Sequence, residues 1–280
     1  MKRYQSRPEN RCGVACFITN EADFLREWIE FHRLVGFTKF FVFDNESSDH
    51  PERILRDYIH SGLVDYRFWP NPRGPEDFHL AQLGAYQAAV KSATGQLDWL
   101  AILDVDEFLF APDGRGVPEI LASFSDFPAV GVNWQVFGTS GITDLEAGEC
   151  LIEKLVWKRV SNHPGNAHIK SIVRPEEVLE VQTQHNCRYR NGRRAVNTKF
   201  LPIDGPHSAP PLWDRLRINH YMFRTERFFQ ERKIPMMQQS GRYEKRKQTL
   251  EDPDAFREEK DLTIHQFLPV LKGNIQQNIP

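Results

Sequence analysis

The sequence is poor in most of the features that announce a function. It has only four cysteines in 280 residues, Cys12, Cys16, Cys150 and Cys187, too few and too scattered for a disulfide framework. Cys12 and Cys16 flank an expected strand and read best as reduced core thiols. A zinc site with His185 and Cys187 would need a second ligand pair of regular spacing, and His-x-Cys is a poor one. Neither sign of charge dominates, with 36 Lys+Arg against 38 Asp+Glu, which argues against a nucleic-acid partner. No apolar run reaches the ~18 residues needed to cross a bilayer. The charged start Met1-Lys2-Arg3 leads into no apolar signal region. A soluble, cytoplasmic chain is expected, with peripheral contact with a membrane left open. Neither G-x-G-x-x-G nor G-x-x-x-x-G-K-[ST] occurs, so a bound nucleotide would rest on side chains and metal. What is present is 40% hydrophobic and 26% charged residues, a balance that excludes disorder, collagen and coiled coil.

The first hundred residues alternate between two periods. Val14 to Thr19 is an apolar run of strand length. Thr19 or Asn20 is placed to cap a helix carrying Phe24, Trp28, Phe31 and Val35 at helical spacing, and Gly36 to end it. Lys39 to Phe43 is a second strand, leading into Asp44-Asn45-Glu46-Ser47-Ser48-Asp49, where Ser48 or Asp49 can cap the helix begun by Pro51. Leu63 to Phe68 is a third strand, His79 to Ala93 a helix, and Trp99 to Leu103 a fourth strand. This succession predicts an α/β fold with a mainly parallel sheet and covering helices. Right-handed crossovers put the carboxyl ends of the strands on one edge, where ligands of open α/β sheets bind. Beyond residue 111 the expectation is a mixed half with strands at Val130–Phe137, Ile169–Val173 and Val178–Gln182. From Arg215 to Lys247 the chain reads as helical and basic, with ten Lys and Arg against Glu226, Glu231 and Glu244. A solvated helix face is the common explanation of such a run, and an anionic membrane or lipid-linked acceptor the sharper one.

The fourth strand runs into Asp104-Val105-Asp106-Glu107. Three carboxylates beside a core are costly unless something neutralises them. A divalent cation would do so, since hard oxygen ligands suit Mg²⁺ or Mn²⁺, and a cation shared with a diphosphate would hold a leaving group. Bare Asp-x-Asp tripeptides are common and usually cap turns; the position at the end of an α/β strand favours the functional reading. Asp44, on the same edge, can accept hydrogen bonds from a base or ribose, and Asn20-Glu21 adds a third contribution. Trp134 could stack on a pyranose, although a core tryptophan beside a glycine turn is the plainer reading. His163, His168, His185 and His207 fall in stretches that read as loop or surface.

Ile18-Thr19-Asn20-Glu21, Phe24-Leu25-Arg26-Glu27-Trp28 with His32, Phe43-Asp44-Asn45-Glu46-Ser47-Ser48-Asp49 and Leu103-Asp104-Val105-Asp106-Glu107-Phe108 together resemble a nucleotide-sugar glycosyltransferase of the GT-A fold. Family 92 and its family 2-like bacterial relatives are the nearest match. Phe137-Gly138-Thr139-Ser140-Gly141, Lys170-Ser171-Ile172-Val173-Arg174-Pro175 and Ile218-Asn219-His220-Tyr221 with Arg224, Glu226, Phe228 and Lys233 fit the same pattern, which spans roughly residues 13 to 235. The resemblance implies a GT-A catalytic domain over 1–240, with a nucleotide-binding half at about 13–110 and an acceptor half at about 111–240. Residues 241–280 would form a helical extension.

It further implies inverting transfer from a UDP-sugar, UDP-galactose being the family-level guess, to a glycan or lipid-linked hydroxyl, with Mn²⁺ or Mg²⁺. By position, Asp104 and Asp106 resemble the metal-binding pair, with His220 completing the metal shell or touching the diphosphate. Asn20, Glu21, Asp44 and Asn45 fall where the donor nucleotide is held. Lys170, Arg174, Arg224 and Lys233 are candidate cations for the diphosphate, and the 137–141 segment a candidate wall of the sugar pocket. Glu107, Glu226 and Asp144 are alternative general bases. Two other functions compete. A nucleotidyltransferase acting on a sugar 1-phosphate shares the acidic edge but usually shows a glycine-rich first loop. A non-catalytic carbohydrate-binding module would use the aromatics and treat Asp104 to Glu107 as a structural loop.

Overall fold

A computed structural model describes residues 10–71, 74, 77–161, 163–239, 243–244 and 258–277. The alternation of apolar runs and amphipathic segments becomes β1 (Cys12–Ile18), α1 (Ala22–Leu34), β2 (Lys39–Asp44), α2 (Pro51–His60), β3 (Val64–Phe68), α3 (Phe78–Ala93) and β4 (Trp99–Ile102). β1 is buried along its whole length, as an interior strand covered on both faces must be. The chain continues through β5 (Glu107–Phe110), α4 (Val117–Leu121), β6 (Ala129–Val136), α5 (Leu151–Lys154), β7 (Trp157–Lys158), β8 (Ile169–Val173), β9 (Val178–Val181), β10 (Cys187–Tyr189) and β11 (Arg217–His220). α6 (Glu226–Phe228), a π-helical turn at Phe229–Lys233, α7 (Ile234–Gln239), β12 (Glu259–Lys260) and a last helix, Leu268–Gln277, complete it.

Eight strands form one sheet in the order β3-β2-β1-β4-β8-β6-β11-β5. β1 to β4 are mutually parallel, as are β6 and β11. β8 runs antiparallel to both β4 and β6, and β5 antiparallel to β11. This is the expected α/β class: a mainly parallel sheet with covering helices and a mixed C-terminal half. Trp28 and Phe31 of α1 cover one sheet face with Phe108, Phe110 and Phe267, while the alanines of α3 cover the other with Phe41, Phe43 and Ile102. The last helix packs on α1.

Three local features differ from the sequence reading. The acids after β4 turn at once into β5, whose pairing with β11 sets Glu107 opposite His220. The stretch expected to be helical from Arg215 contains strand β11, and its cations do not share one solvated face. Arg217 is buried and paired with Asp261 at 2.8 Å, Arg224 is buried, and Arg242 and Lys245 to Lys247 lie outside the described residues. α1 is capped by neither Thr19 nor Asn20. Its Ala22 N–H donates to Asp49 Oδ2 at 2.9 Å, and Asn20 Oδ1 accepts from Ser48 N at 2.8 Å. The loops after β1 and β2 thus satisfy each other, which fixes the edge where the acids emerge. Among the described residues no helix is long and apolar enough to cross a membrane. All four cysteines are buried and free, and burial pushes the Cys12, Cys150 and Cys187 thiols up to about 12.

Glu27 shows how α1 holds a distant segment. Its carboxylate accepts from Leu151 N at 2.7 Å and Ile152 N at 3.0 Å, taking the first N–H groups of α5. Burial raises its pKa from 4.5 to about 7, against the opposing effect of those two N–H groups. Between these two values the folded protein holds a proton that the unfolded chain has released, so this group's contribution falls as pH rises. Glu27→Gln does not titrate. The stability of the wild type relative to Glu27→Gln should therefore fall by about 1 kcal/mol per pH unit between pH 5 and 7 and level off above pH 8. Urea denaturation across that range is the check, and a difference that does not vary with pH would contradict it.

Candidate active site

The carboxyl ends of β1 and β4 open into a cleft of about 390 Å³, closed on the far side by β6, β11 and the helices that follow β11. Thr19 and Glu21 come from the loop after β1, Asp104 and Asp106 from the turn after β4, and His220 from the end of β11. Trp134 and Val136 of β6 join Phe229, Met222, Met236 and Met237 to form an apolar wall. The polar floor and the apolar, partly methionine wall suit a ligand with a charged end and a bulky, less polar one.

The acids are neutralised by the chain itself, through pairs formed across long stretches of sequence. Lys170, near the start of β8, is fully buried and lies 2.9 Å from Asp104 Oδ2 and 3.3 Å from Glu107 Oε2. Glu107 Oε2 also accepts from Asp104 N at 2.9 Å, and Trp28 Nε1 donates to the Glu107 carbonyl at 2.9 Å. The turn is thus held at both main-chain and side-chain atoms. Asp104 remains one-third exposed and accepts from Tyr86 Oη at 3.2 Å. Asp106 faces Lys233 Nζ at 3.1 Å, His220 Nε2 at 3.6 Å and Arg224 at 3.9 Å. Burial opposes ionisation of Asp106, but Lys233 and His220 outweigh it and hold the carboxyl well below its usual range. For Asp104, burial is likewise outweighed, by Lys170, and the pKa is lowered. Burial pushes Glu107 well above the usual range.

Arg224 is enclosed between the rings of Phe24 and Phe228, each 4.4 Å from its guanidinium. It forms an ion pair with Glu21, whose pKa burial raises in spite of that partner. Burial lowers His220 despite Asp106 beside it; its Nδ1 is buried without a hydrogen-bond partner.

The candidate residues therefore divide. Glu21, Asp104, Asp106, His220 and Lys233 line one cleft. Lys170 and Arg224 reach it only through the acids they hold, since both are sealed from solvent. Glu107 is buried behind the turn. Asp44 accepts from Ser47 N at 3.0 Å and Tyr66 Oη at 2.5 Å. Asn45 donates to the Trp69 carbonyl at 3.0 Å. Asn20 is engaged with Ser47 and Ser48, so these three stitch the edge together beside the cleft. Asp144 pairs with Arg227 at 2.7 Å and Glu226 accepts from Thr143 at 3.2 Å. Neither lines the cleft, nor does Arg174, which donates to the Ser125 carbonyl, nor any residue of 137–141.

The four histidines do lie outside the named helices and strands, as expected, but most of them are not on the open surface. His163, His168 and His185 line the cleft, and only His207 of the four is exposed. Trp134 carries His220, His168 and His185 around its ring at 4.2, 5.0 and 5.2 Å, so it is a packing centre for imidazoles and has little room to stack on a sugar. Helical spacing and charge patterning carry no signal for such a cluster, because its members come from four separate segments.

Among the described residues no three His, Cys, Asp or Glu side chains converge as a metal cage. The donor set does fit a cation of the Mg²⁺ type. Such ions take one or two carboxylates and fill the remaining positions with substrate phosphates and water, and Asp104 and Asp106 offer two carboxylates in one cleft.

The family model for glycosyltransferase family 92 matches residues 13–204. A family 92 protein of Oryza sativa subsp. japonica is 25% identical over 237 residues, covering 82% of this chain and 36% of the relative. A galactan beta-1,4-galactosyltransferase of Arabidopsis thaliana is 24% identical over 117 residues, 41% of this chain and 24% of the relative. The crystal structure of S. aureus TarS 1–349 covers 96% of this chain and 81% of its own at 12% identity and a TM-score of 0.40. The chain spans well under half the length of these curated relatives. With more than two-thirds of its residues matched by the family model, the chain belongs to glycosyltransferase family 92.

Proposed function

We propose that the chain is an inverting glycosyltransferase that moves a hexose from a UDP-sugar to a glycan or glycolipid hydroxyl, with Mn²⁺ or Mg²⁺. The observation that carries this reading is the cleft in which Asp104, Asp106, His220 and Lys233 meet at the carboxyl edge of the sheet. UDP-galactose is the first donor to test, given the similarity to a plant galactosyltransferase. When bound, a divalent ion held by Asp104 and Asp106 would neutralise charge developing on the departing diphosphate.

The chain's own residues divide the remaining work. Lys233, from the π-helical turn, is a cation that lines the cleft and is placed to hold a diphosphate oxygen. Lys170 and Arg224 keep the carboxylates ionised and oriented from behind, so that no reorganisation is needed as the bond to the leaving group stretches. The acceptor hydroxyl attacks the anomeric carbon from the face opposite the diphosphate while its proton passes to a base in the cleft.

UDP with Mn²⁺ should raise the melting temperature of the wild type, because ligand that binds only the folded state must stabilise it. In Asp104→Ala plus Asp106→Ala, UDP affinity should fall at least about tenfold, since each carboxylate removed takes with it a charge-assisted contact. No binding to the wild type, or equal binding to the double variant, would overturn the proposal. Turnover of a sugar 1-phosphate with a nucleoside triphosphate would favour a nucleotidyltransferase instead.

A further inference from the structure

His185 stands at the tip of the β9–β10 hairpin, and nearly every polar atom it owns is committed. Its N–H donates to Thr183 Oγ1 at 3.0 Å and its carbonyl accepts from Ser171 Oγ at 2.6 Å. The turn that carries it is cross-braced. Thr183 Oγ1 reaches Asn186 Oδ1 at 2.7 Å, and the N–H groups of Gln182 and Thr183 both donate to the Asn186 carbonyl at 3.1 Å. The imidazole Nδ1 lies 2.8 Å from the Ile169 carbonyl. A carbonyl can only accept, so Nδ1 carries the proton and Nε2 presents a lone pair. Among the described residues Nε2 makes no hydrogen bond, and since it is not among the buried atoms left without one it keeps access to solvent on a residue that lines the cleft.

The neighbouring imidazoles lack that freedom. His168 is bound through Nδ1 to the Gly165 carbonyl at 3.2 Å and through Nε2 to His207 at 3.1 Å. His220 directs Nε2 at Asp106, and its Nδ1 is sealed.

We infer that His185 Nε2 is a fixed hydrogen-bond acceptor for one hydroxyl of the transferred sugar, and so a determinant of donor choice. The inference rests on the UDP-sugar reading above and adds to it the residue that reads the sugar. Two arguments favour recognition over proton abstraction. A general base works best with a pKa near the operating pH, whereas burial, with Lys170 nearby, lowers His185 to about 3. An imidazole that stays neutral throughout the physiological range is a weak base but a constant acceptor. Its rigid mounting also suits discrimination, because epimeric hexoses differ only in where a hydroxyl points, and an acceptor that the bound sugar cuts off from water but leaves unpaired penalises the wrong epimer.

The test measures affinities by calorimetry, with Mn²⁺ present, for UDP, UDP-galactose, UDP-glucose and UDP-N-acetylglucosamine. The proteins compared are the wild type, His185→Ala and His185→Gln. The wild type should separate the three sugars, and both variants should lose about tenfold of that separation while binding UDP within twofold of the wild type. The UDP measurement also reports that each variant is folded. Three results would overturn the inference: a wild type that binds the three sugars alike, variants that keep its preference, or variants that lose UDP and UDP-sugars equally, which would mark His185 as structural. Failure of the wild type to bind UDP at all would sink the glycosyltransferase reading itself, and the inference with it.

Discussion

Lys170→Met should destabilise the protein by about 3–5 kcal/mol, the usual cost of removing one member of a buried ion pair. The lysine is fully buried on β8 and touches Asp104 and Glu107, and Glu107 is itself fully buried. Methionine fills the same length of apolar stem, so the loss reports charge rather than volume. Without the ammonium, Asp104 loses the main cation that favours its ionised form and Glu107 is pushed further toward its protonated form, so the turn must take up a proton or rearrange. Urea denaturation of the single variant and of Lys170→Met plus Glu107→Gln separates these effects. If uncompensated charge is the cause, the double variant should be the more stable of the two, a coupling that independent sites would not show. UDP affinity should fall in the single variant although Lys170 is sealed from the cleft, because the orientation of Asp104 depends on it. A single variant within about 1 kcal/mol of the wild type, in the range of surface changes, would refute this account of how the turn is held.

The same residue marks the limit of what the sequence discloses. The alternation that predicts β1 to β4 is local, written in spacings of two and of three to four residues, and it carries through to the fold. The acidic turn after β4 is legible for the same reason. What neutralises it is not, because Lys170 is 66 positions from Asp104 and Lys233 is 127 positions from Asp106. A sequence displays three unpaired acids and invites a metal; the folded chain supplies ammonium groups as well. Lys170 lies on a five-residue strand that is buried at every position, so its charge says nothing about exposure until the strand is placed between β4 and β6. The wall formed by Met222, Phe229, Met236 and Met237 is silent for a related reason. It exists only because β11 returns alongside β6 and sends the following helices over the cleft. Asp49 resembles a cap for its own helix, and only the packing of two loops shows that it serves α1.

Arg224 provides the second test of a site held from behind. Its side chain is 1% exposed, it lies between two phenylalanine rings, and it joins Glu21 to Asp106 across the cleft floor. Its backbone adopts a φ of +53°, a conformation that costs residues other than glycine about 1–2 kcal/mol. A residue kept there at such expense points to the guanidinium as the reason. Arg224→Ala should lose about 3–5 kcal/mol by leaving Glu21 and Asp106 short of a buried counter-charge. Arg224→Gly removes the same charge but relieves the left-handed backbone, so it should be more stable than the alanine variant by about 1 kcal/mol, the reverse of the usual order in a helix. Arg224→Lys keeps a charge but loses the planar fork and the stacking on Phe24 and Phe228, and should fall between the two extremes. Thermal and urea denaturation of the three variants, with UDP titrations alongside, read both consequences. If alanine and glycine cost the same, the backbone is not under strain. If all three variants retain wild-type stability and UDP affinity, the guanidinium does not hold the acids, and Lys233 and His220 must account for the ionised Asp106.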